Sequence, residues 1–189
     1  MSEEAAAFAD HTMESAPAGA RRLMAATHHH LGYLPAAVAR MAESPHLLDG
    51  FGRLTAIFDG STLDPVAREV VVMTIATRTG CHVCVAMHTA RLAALGADAR
   101  LIGALRGAEP LHDGRLDAIR VFTLRLLDTA GEVGDQAMQA FLASGYTRQN
   151  ALEVVLGIGT YTMSTLANRL TGAPLDDRLR GFAWEQQPA

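Results

Sequence analysis

The chain has 189 residues, 49% of them hydrophobic and 19% charged, with a formal net charge of −4. That balance excludes a disordered or collagen-like chain, and the length suffices to bury a core without disulfides or a metal. With only 5% aromatic residues and a slight acidic excess, neither the basic surface nor the stacking platform that a nucleic acid requires is present. The simplest organisation is one domain over residues 1–189. The start, Met1-Ser2-Glu3-Glu4, lacks the charged and apolar regions of a signal peptide. No apolar run approaches the ~20 residues that span a bilayer. The expectation is a cytoplasmic protein without membrane or nucleic-acid partners.

Helix punctuation repeats along the chain. Pro17 opens a helix to about Leu31, with Gly32 in position to end it. Pro35 opens a short one to about Glu43. Pro45 opens the next, carrying Leu47, Leu48, Phe51, Leu54 and Phe58 at spacings of three and four. Asp64-Pro65 reads as an N-cap followed by a first-turn proline, and Gly80 stands where a helix terminator belongs. A further helix runs from about Cys81 to Leu95 and stops at Gly96. Asp98 caps a short helix to about Arg106. Leu116, Ile119, Val121, Phe122, Leu124, Leu126 and Leu127 mark a long helix ending near Gly131. Asp135 and Thr147 are the expected caps of two more, the last from about Arg148 to Leu170, with Gly172 and Pro174 closing it.

The β-branched run Val70-Val71-Val72-Met73-Thr74-Ile75 also suits a buried strand. It nevertheless continues from a capped start to Ala76 and beyond, too long for an ordinary strand. Apolar on all sides, it predicts a helix in the middle of the domain. The same holds for Val154-Val155-Leu156-Gly157-Ile158. The segments beginning at Glu69 and Glu153 resemble each other at an offset of 84, which sets Cys81 against Thr165 and Cys84 against Asn168. An internal duplication and two unrelated buried helices of like composition are both open readings.

The chain has two cysteines, Cys81 and Cys84. Two thiols so close, in a reducing compartment, point to redox chemistry or a metal rather than to a disulfide framework. At 100° per residue, Cys81, Cys84 and His88 share one helical face within an arc of about 60°. Cys81 falls at the helix start, where unpaired N–H groups favour a thiolate. His88 is one turn beyond Cys84 and can take its proton. Three ligands on one helical face cannot close a tetrahedron, and no second CxxC appears, so the pattern calls for no metal. Two buried structural cysteines remain the bland alternative. A thioredoxin-type site is disfavoured, because that fold needs a strand before the CxxC helix. Glu69, twelve residues before Cys81, approaches the pair if Gly80 folds the two helices back on each other. A carboxylate in so apolar a segment needs a partner, and His88 is the obvious one; Arg68 or backbone at a surface is the other.

Glu69, eleven intervening residues, Cys81-His82-Val83-Cys84, three more and His88 together resemble the AhpD-like, carboxymuconolactone decarboxylase superfamily, in its alkylhydroperoxidase (peroxidase-related) branch. Leu31-Gly32-Tyr33-Leu34-Pro35, Ser44-Pro45-His46-Leu47-Leu48, and Ala167-Asn168-Arg169-Leu170 with Pro174 extend the likeness over about residues 17–180. The resemblance implies an all-α, AhpD-like helical bundle with the CxxC at the start of a central helix. It implies a homo-oligomer and thiol-dependent reduction of hydroperoxides. Electrons would come from a dithiol or lipoyl-type donor protein, with no further cofactor. By matching positions, Cys84 is the peroxide-attacking cysteine, Cys81 its resolving partner, and Glu69 with His88 the proton relay. Relatives carry a histidine or aromatic where this chain has Val83; His82 stands one place earlier, rotated about 100° away, as an additional candidate. The cysteine pair weighs against a lactone decarboxylase. A reading of another class is a redox-sensing or stress-associated oligomeric binding protein that oxidises once and does not turn over.

Other residues have blander readings. His28-His29-His30 point in diverging directions on a helix and suit its C-terminal dipole better than a metal ion. His46 reads as a first-turn surface residue. Tyr161, Asn168 and Arg169 either line the thiol site or hold the last helix in the core or the oligomer. Met73, Met87, Met163, Phe51, Phe58 and Phe122 read as core filling.

Overall fold

The computed structural model describes residues 8–186, so Met1–Glu4, read above as lacking a signal peptide, lie outside the described residues. Those described residues are helices and connections without a strand, as the sequence predicts. The helices are α1 (Ala18–Leu31), α2 (Ala36–Met41), α3 (Pro45–Asp59), α4 (Pro65–Thr79), α5 (His82–Ala94), α6 (Ala99–Arg106), α7 (Gly114–Asp128), α8 (Gly134–Ala143) and α9 (Arg148–Thr171). A 3-10 segment follows over Asp177–Phe182, which no periodicity announces. No helix among the described residues is long and apolar enough to cross a membrane.

The β-branched run is the axis of the bundle. Helix α4 packs against α5, α6, α7 and α9, and Val70, Val71, Val72, Met73 and Ile75 are fully buried. Its ends explain why such a run is helical. The Asp64 side chain accepts from the Ala67 amide at 2.8 Å and Pro65 occupies the first turn. Gly80 then takes the left-handed conformation, φ +65°. There the Gly80 amide donates to the Thr77 carbonyl and the Cys81 amide to that of Ala76, a Schellman-type ending that reverses the chain. Thr74 and Thr77 satisfy their buried hydroxyls on the carbonyls of Val70 and Met73. Burial on every side supplies what helix propensity withholds.

Helix α9 lies along α4, and Gly157 sets how close it comes. A Cβ there would fall 2.7 Å from the Phe58 ring and 3.2 Å from Val71. Two expectations are corrected. Asp135 lies in the first turn of α8 but does not cap it: the chain enters from Val133 through Gly134 at φ +76°, with no side-chain cap. The duplication does not extend to the fold, because α9 runs straight through Ser164, the residue matched to Gly80, where the first copy breaks into two helices. Thr147 caps α9 as expected, reciprocally with Asn150.

Candidate active site

Cys81 is the N-cap of α5, its Sγ accepting from the Cys84 amide at 3.3 Å. Cys84 lies one turn in, and the two are joined as a disulfide. Both are nearly inaccessible, at 1% and 5% exposure. Only Cys84 faces a cavity of about 800 Å³ walled by α1, α2, α3, α5 and α9. His88 and Met87 line it with Cys84, as do Tyr161 and Asn168 from α9. Leu23, Val38, Leu48 and Phe51 make much of its wall apolar. The expected single face is thus divided: Cys84 and His88 share the cavity, and Cys81, outside the helical turn as its cap, does not line it.

The structure brings Glu69 and His88 together. The fold-back at Gly80 sets α5 against α4, and Glu69 Oε2 accepts from His88 Nδ1 at 2.7 Å. That bond assigns the ring proton to Nδ1 and leaves Nε2 as an acceptor or, once charged, a donor. Glu69, 2% exposed, is a buried carboxylate whose second oxygen meets Arg91 Nε at 3.0 Å. Arg91 in turn donates to Asp59 at 2.8 Å. The guanidinium, placed against two carboxylates, titrates above its ordinary value even though its partial burial opposes this. Arg68, the other candidate partner of Glu69, instead donates to the Leu63 carbonyl.

Tyr161 stands edge-on against the His88 ring, centroids 5.2 Å apart, and touches Phe51 and Phe58 in the same manner. Burial pushes its phenol up, and the nearby Glu69 and Asp59 carboxylates push it further. It is therefore a neutral hydroxyl at any working pH. Asn168 Nδ2 donates to Cys84 Sγ at 3.3 Å, while its buried Oδ1 has no partner. Sequence reasoning missed Arg91, whose one signal is its place three residues after His88, and left Tyr161 and Asn168 undecided. His82 is exposed and falls beside Cys81 in a smaller cleft, apart from the Glu69–His88 pair. His28 and His29 are exposed on the last turn of α1, and His30 reaches the cavity rim.

A buried carboxylate orienting an imidazole, with a thiol one turn away at the wall of an apolar cavity, can ionise that thiol and return a proton to a leaving oxygen. The model of the carboxymuconolactone decarboxylase family matches residues 43–123. No curated protein matches the sequence. A peroxidase-related protein from Ralstonia eutropha JMP134, described as an alkylhydroperoxidase AhpD core, superposes with a TM-score of 0.81 at 17% identity, over 96% of this chain and 97% of its own. A peroxidase-related protein from Silicibacter sp. TM1040 gives 0.77 at 18% identity, over 93% and 95%. A variant of the debrominase Bmp8, solved with 2,3,4-tribromopyrrole, gives 0.67 at 14% identity, over 85% and 87%. The segment matched by the family model holds both cysteines, and the chain shares the all-helical, AhpD-like bundle of these solved structures.

Proposed function

We propose that the protein is a thiol-dependent hydroperoxide reductase. The observation that carries the reading is the shared cavity: Cys84 and His88 line it together, and the buried Glu69 fixes the imidazole from behind. In the reduced protein the Cys84 thiolate attacks the terminal oxygen of a hydroperoxide. The O–O bond breaks, Cys84 becomes a sulfenic acid, and the alkoxide takes its proton from the His88 imidazolium and leaves as the alcohol. The Cys81 thiol then attacks Cys84 Sγ, water departs, and the disulfide closes. A dithiol or lipoyl-type donor returns two electrons and two protons. This chemistry suits the cytoplasm, where such donors are kept reduced.

Leu152, Leu166 and Leu170 are 72%, 57% and 76% exposed along α9. That apolar stripe supports a homo-oligomer, which sedimentation at micromolar concentration checks.

The deciding experiment is peroxide consumption with dihydrolipoamide as donor, the protein compared with Cys84→Ser. Multiple turnovers that vanish in the variant support the reading. One equivalent consumed and no more replaces it with a redox sensor. The cavity far exceeds a hydroperoxide group and has room for a halogenated arene like the one the debrominase binds. A 2,3,4-tribromopyrrole assay therefore runs alongside, and dehalogenation without peroxide turnover makes the protein a dehalogenase.

A further inference from the structure

The two sulfurs of the disulfide open on different spaces. Cys84 borders the large apolar cavity. Cys81 borders a separate, smaller cleft of about 200 Å³, lined by Gly80, His82, Val83, Asn168, Arg169 and Gly172. Asn168 belongs to both linings and forms the partition. We propose that this cleft is a binding site for a slim thiol or dithiol reductant, which attacks the disulfide at Cys81 while the cavity at Cys84 is reserved for the oxidising substrate. The proposal rests on the reading of the pair as one that turns over.

Size, charge and hydrogen bonding each favour a thiol. At about 30 Å³ per water molecule the cleft holds roughly seven waters' worth of matter, the scale of a thiol-bearing alkyl arm rather than a ring system. Cys81 is 1% exposed, so a protein surface cannot reach its sulfur without such an arm. The cleft lining carries Arg169 and His82 and no acid. The Arg169 guanidinium is anchored to the Thr79 carbonyl through one of its five N–H groups, leaving the others for an anion. The α5 N-terminus adds the positive end of a thirteen-residue helix. A thiolate is drawn to such a place. The unpartnered Asn168 Oδ1 is an acceptor for an S–H.

The exchange balances. The reductant's thiolate attacks Cys81 Sγ and forms a mixed disulfide. The Cys81–Cys84 bond breaks and its electron pair leaves on Cys84 Sγ, where Asn168 Nδ2 already donates. The reductant's second thiol, or a second molecule, then attacks the reductant sulfur of the mixed disulfide. Cys81 departs as a thiolate and takes up a proton. The product alcohol need not leave the apolar cavity before reduction begins.

The test maps the adduct. Oxidised protein is mixed briefly with glutathione, quenched in acid, capped with N-ethylmaleimide and digested for mass spectrometry. Glutathione on Cys81 and maleimide on Cys84 is the expected result; glutathione on Cys84 overturns the proposal. A second measurement uses 2-phenyl-2-propanol as an inert occupant of the apolar cavity. It should slow oxidation of the reduced protein by cumene hydroperoxide and leave reduction of the disulfide by dithiothreitol unchanged; equal inhibition of both overturns the separation. His82→Asp should slow reduction by anionic glutathione several-fold more than reduction by neutral dithiothreitol, and equal effects on the two reductants overturn the electrostatic part. Adduct mapping needs no peroxide, so a protein without peroxidase turnover that still carries glutathione on Cys81 refutes the proposed function and leaves the cleft standing.

Discussion

Asn168, 84 residues along the chain from Cys84, holds its side-chain amide 3.3 Å from the cysteine sulfur. Asn168 is 5% exposed, and it arrives from α9, the helix whose close approach to α3 and α4 depends on Gly157. In the reduced protein this donor favours the charged form of Cys84 over the neutral thiol. A hydrogen bond to a charged group contributes about 1.5–3 kcal/mol, and about 1.4 kcal/mol is one pKa unit. Asn168→Ala should therefore leave less of Cys84 as thiolate at a given pH and move the alkylation midpoint upward. The measurement is the pH dependence of iodoacetamide alkylation in a Cys81→Ser background. An unchanged midpoint removes Asn168 from the chemistry.

The parts of the site that follow from punctuation were legible in the sequence. Asp64-Pro65 and Gly80 bound α4, the reversal at Gly80 follows from them, and a carboxylate eleven residues before that glycine meets an imidazole eight residues after it. What was not legible depends on surfaces meeting at a distance. Nothing in residues 18–59 shows that α1, α2 and α3 wall a cavity over Cys84. The separation of Cys81 from Cys84 was hidden because helical angles treat a cap as though it were a helical residue. Asn168 carried no pattern of its own, since an amide that donates to sulfur looks in sequence like any buried polar residue.

Gly157 links packing to the site. An alanine Cβ would meet the Phe58 ring at 2.7 and 2.8 Å, and Phe58 is fully buried beneath Tyr161. Overpacking costs about 1–3 kcal/mol, while replacing a helical glycine by alanine returns at most about 1. Gly157→Ala should destabilise the protein in urea denaturation and lower its activity through Tyr161. Gly159→Ala, with no atom within 4 Å of the new Cβ, should be neutral or stabilising. Equal effects from the two would remove the close-approach argument.

Asp64 gives a pH dependence with a definite sign. Burial alone would raise its carboxyl, but the Arg115 guanidinium at 2.8 Å and the Ala67 amide outweigh that and hold it below 3.8. A carboxyl depressed in the folded state contributes stability above its unfolded value of about 3.9, and that contribution is lost as pH falls through the folded value. Asp64→Ala should cost about 1 kcal/mol at neutral pH, the ordinary worth of such a cap. The exposed ion pair to Arg115 adds little. The gap between variant and parent should shrink as pH falls below about 4, where the unfolded-state carboxyl protonates first and the folded one follows at lower pH. Denaturation at pH 7 and pH 3 checks it, and a gap that widens in acid contradicts the assignment.

The proton relay makes the sharpest demand on Glu69. Its carboxylate is 2% exposed and engages His88 with one oxygen and Arg91 with the other. Glu69→Gln preserves the shape and removes the charge. The amide NH2 must then face one of two donors, so one hydrogen bond is lost whichever way it turns. Arg91 is 41% exposed and keeps Asp59, so water and that partner absorb part of the loss. The buried His88 has no such recourse, and the expected cost is about 1–3 kcal/mol of stability. The effect on turnover should be larger, because an imidazole without its carboxylate loses both its fixed tautomer and its charge partner; general acid–base catalysis contributes roughly 10²–10⁴-fold. His88→Ala should slow Cys84 oxidation most near neutral pH and least in alkali, where the thiol ionises unaided. Since Glu69 acts on the sulfur only through His88, adding Glu69→Gln to His88→Ala should slow oxidation little further. Independent, multiplying losses from the two variants, or a His88→Ala effect that is flat with pH, would mean that Cys84 receives its proton chemistry from another group.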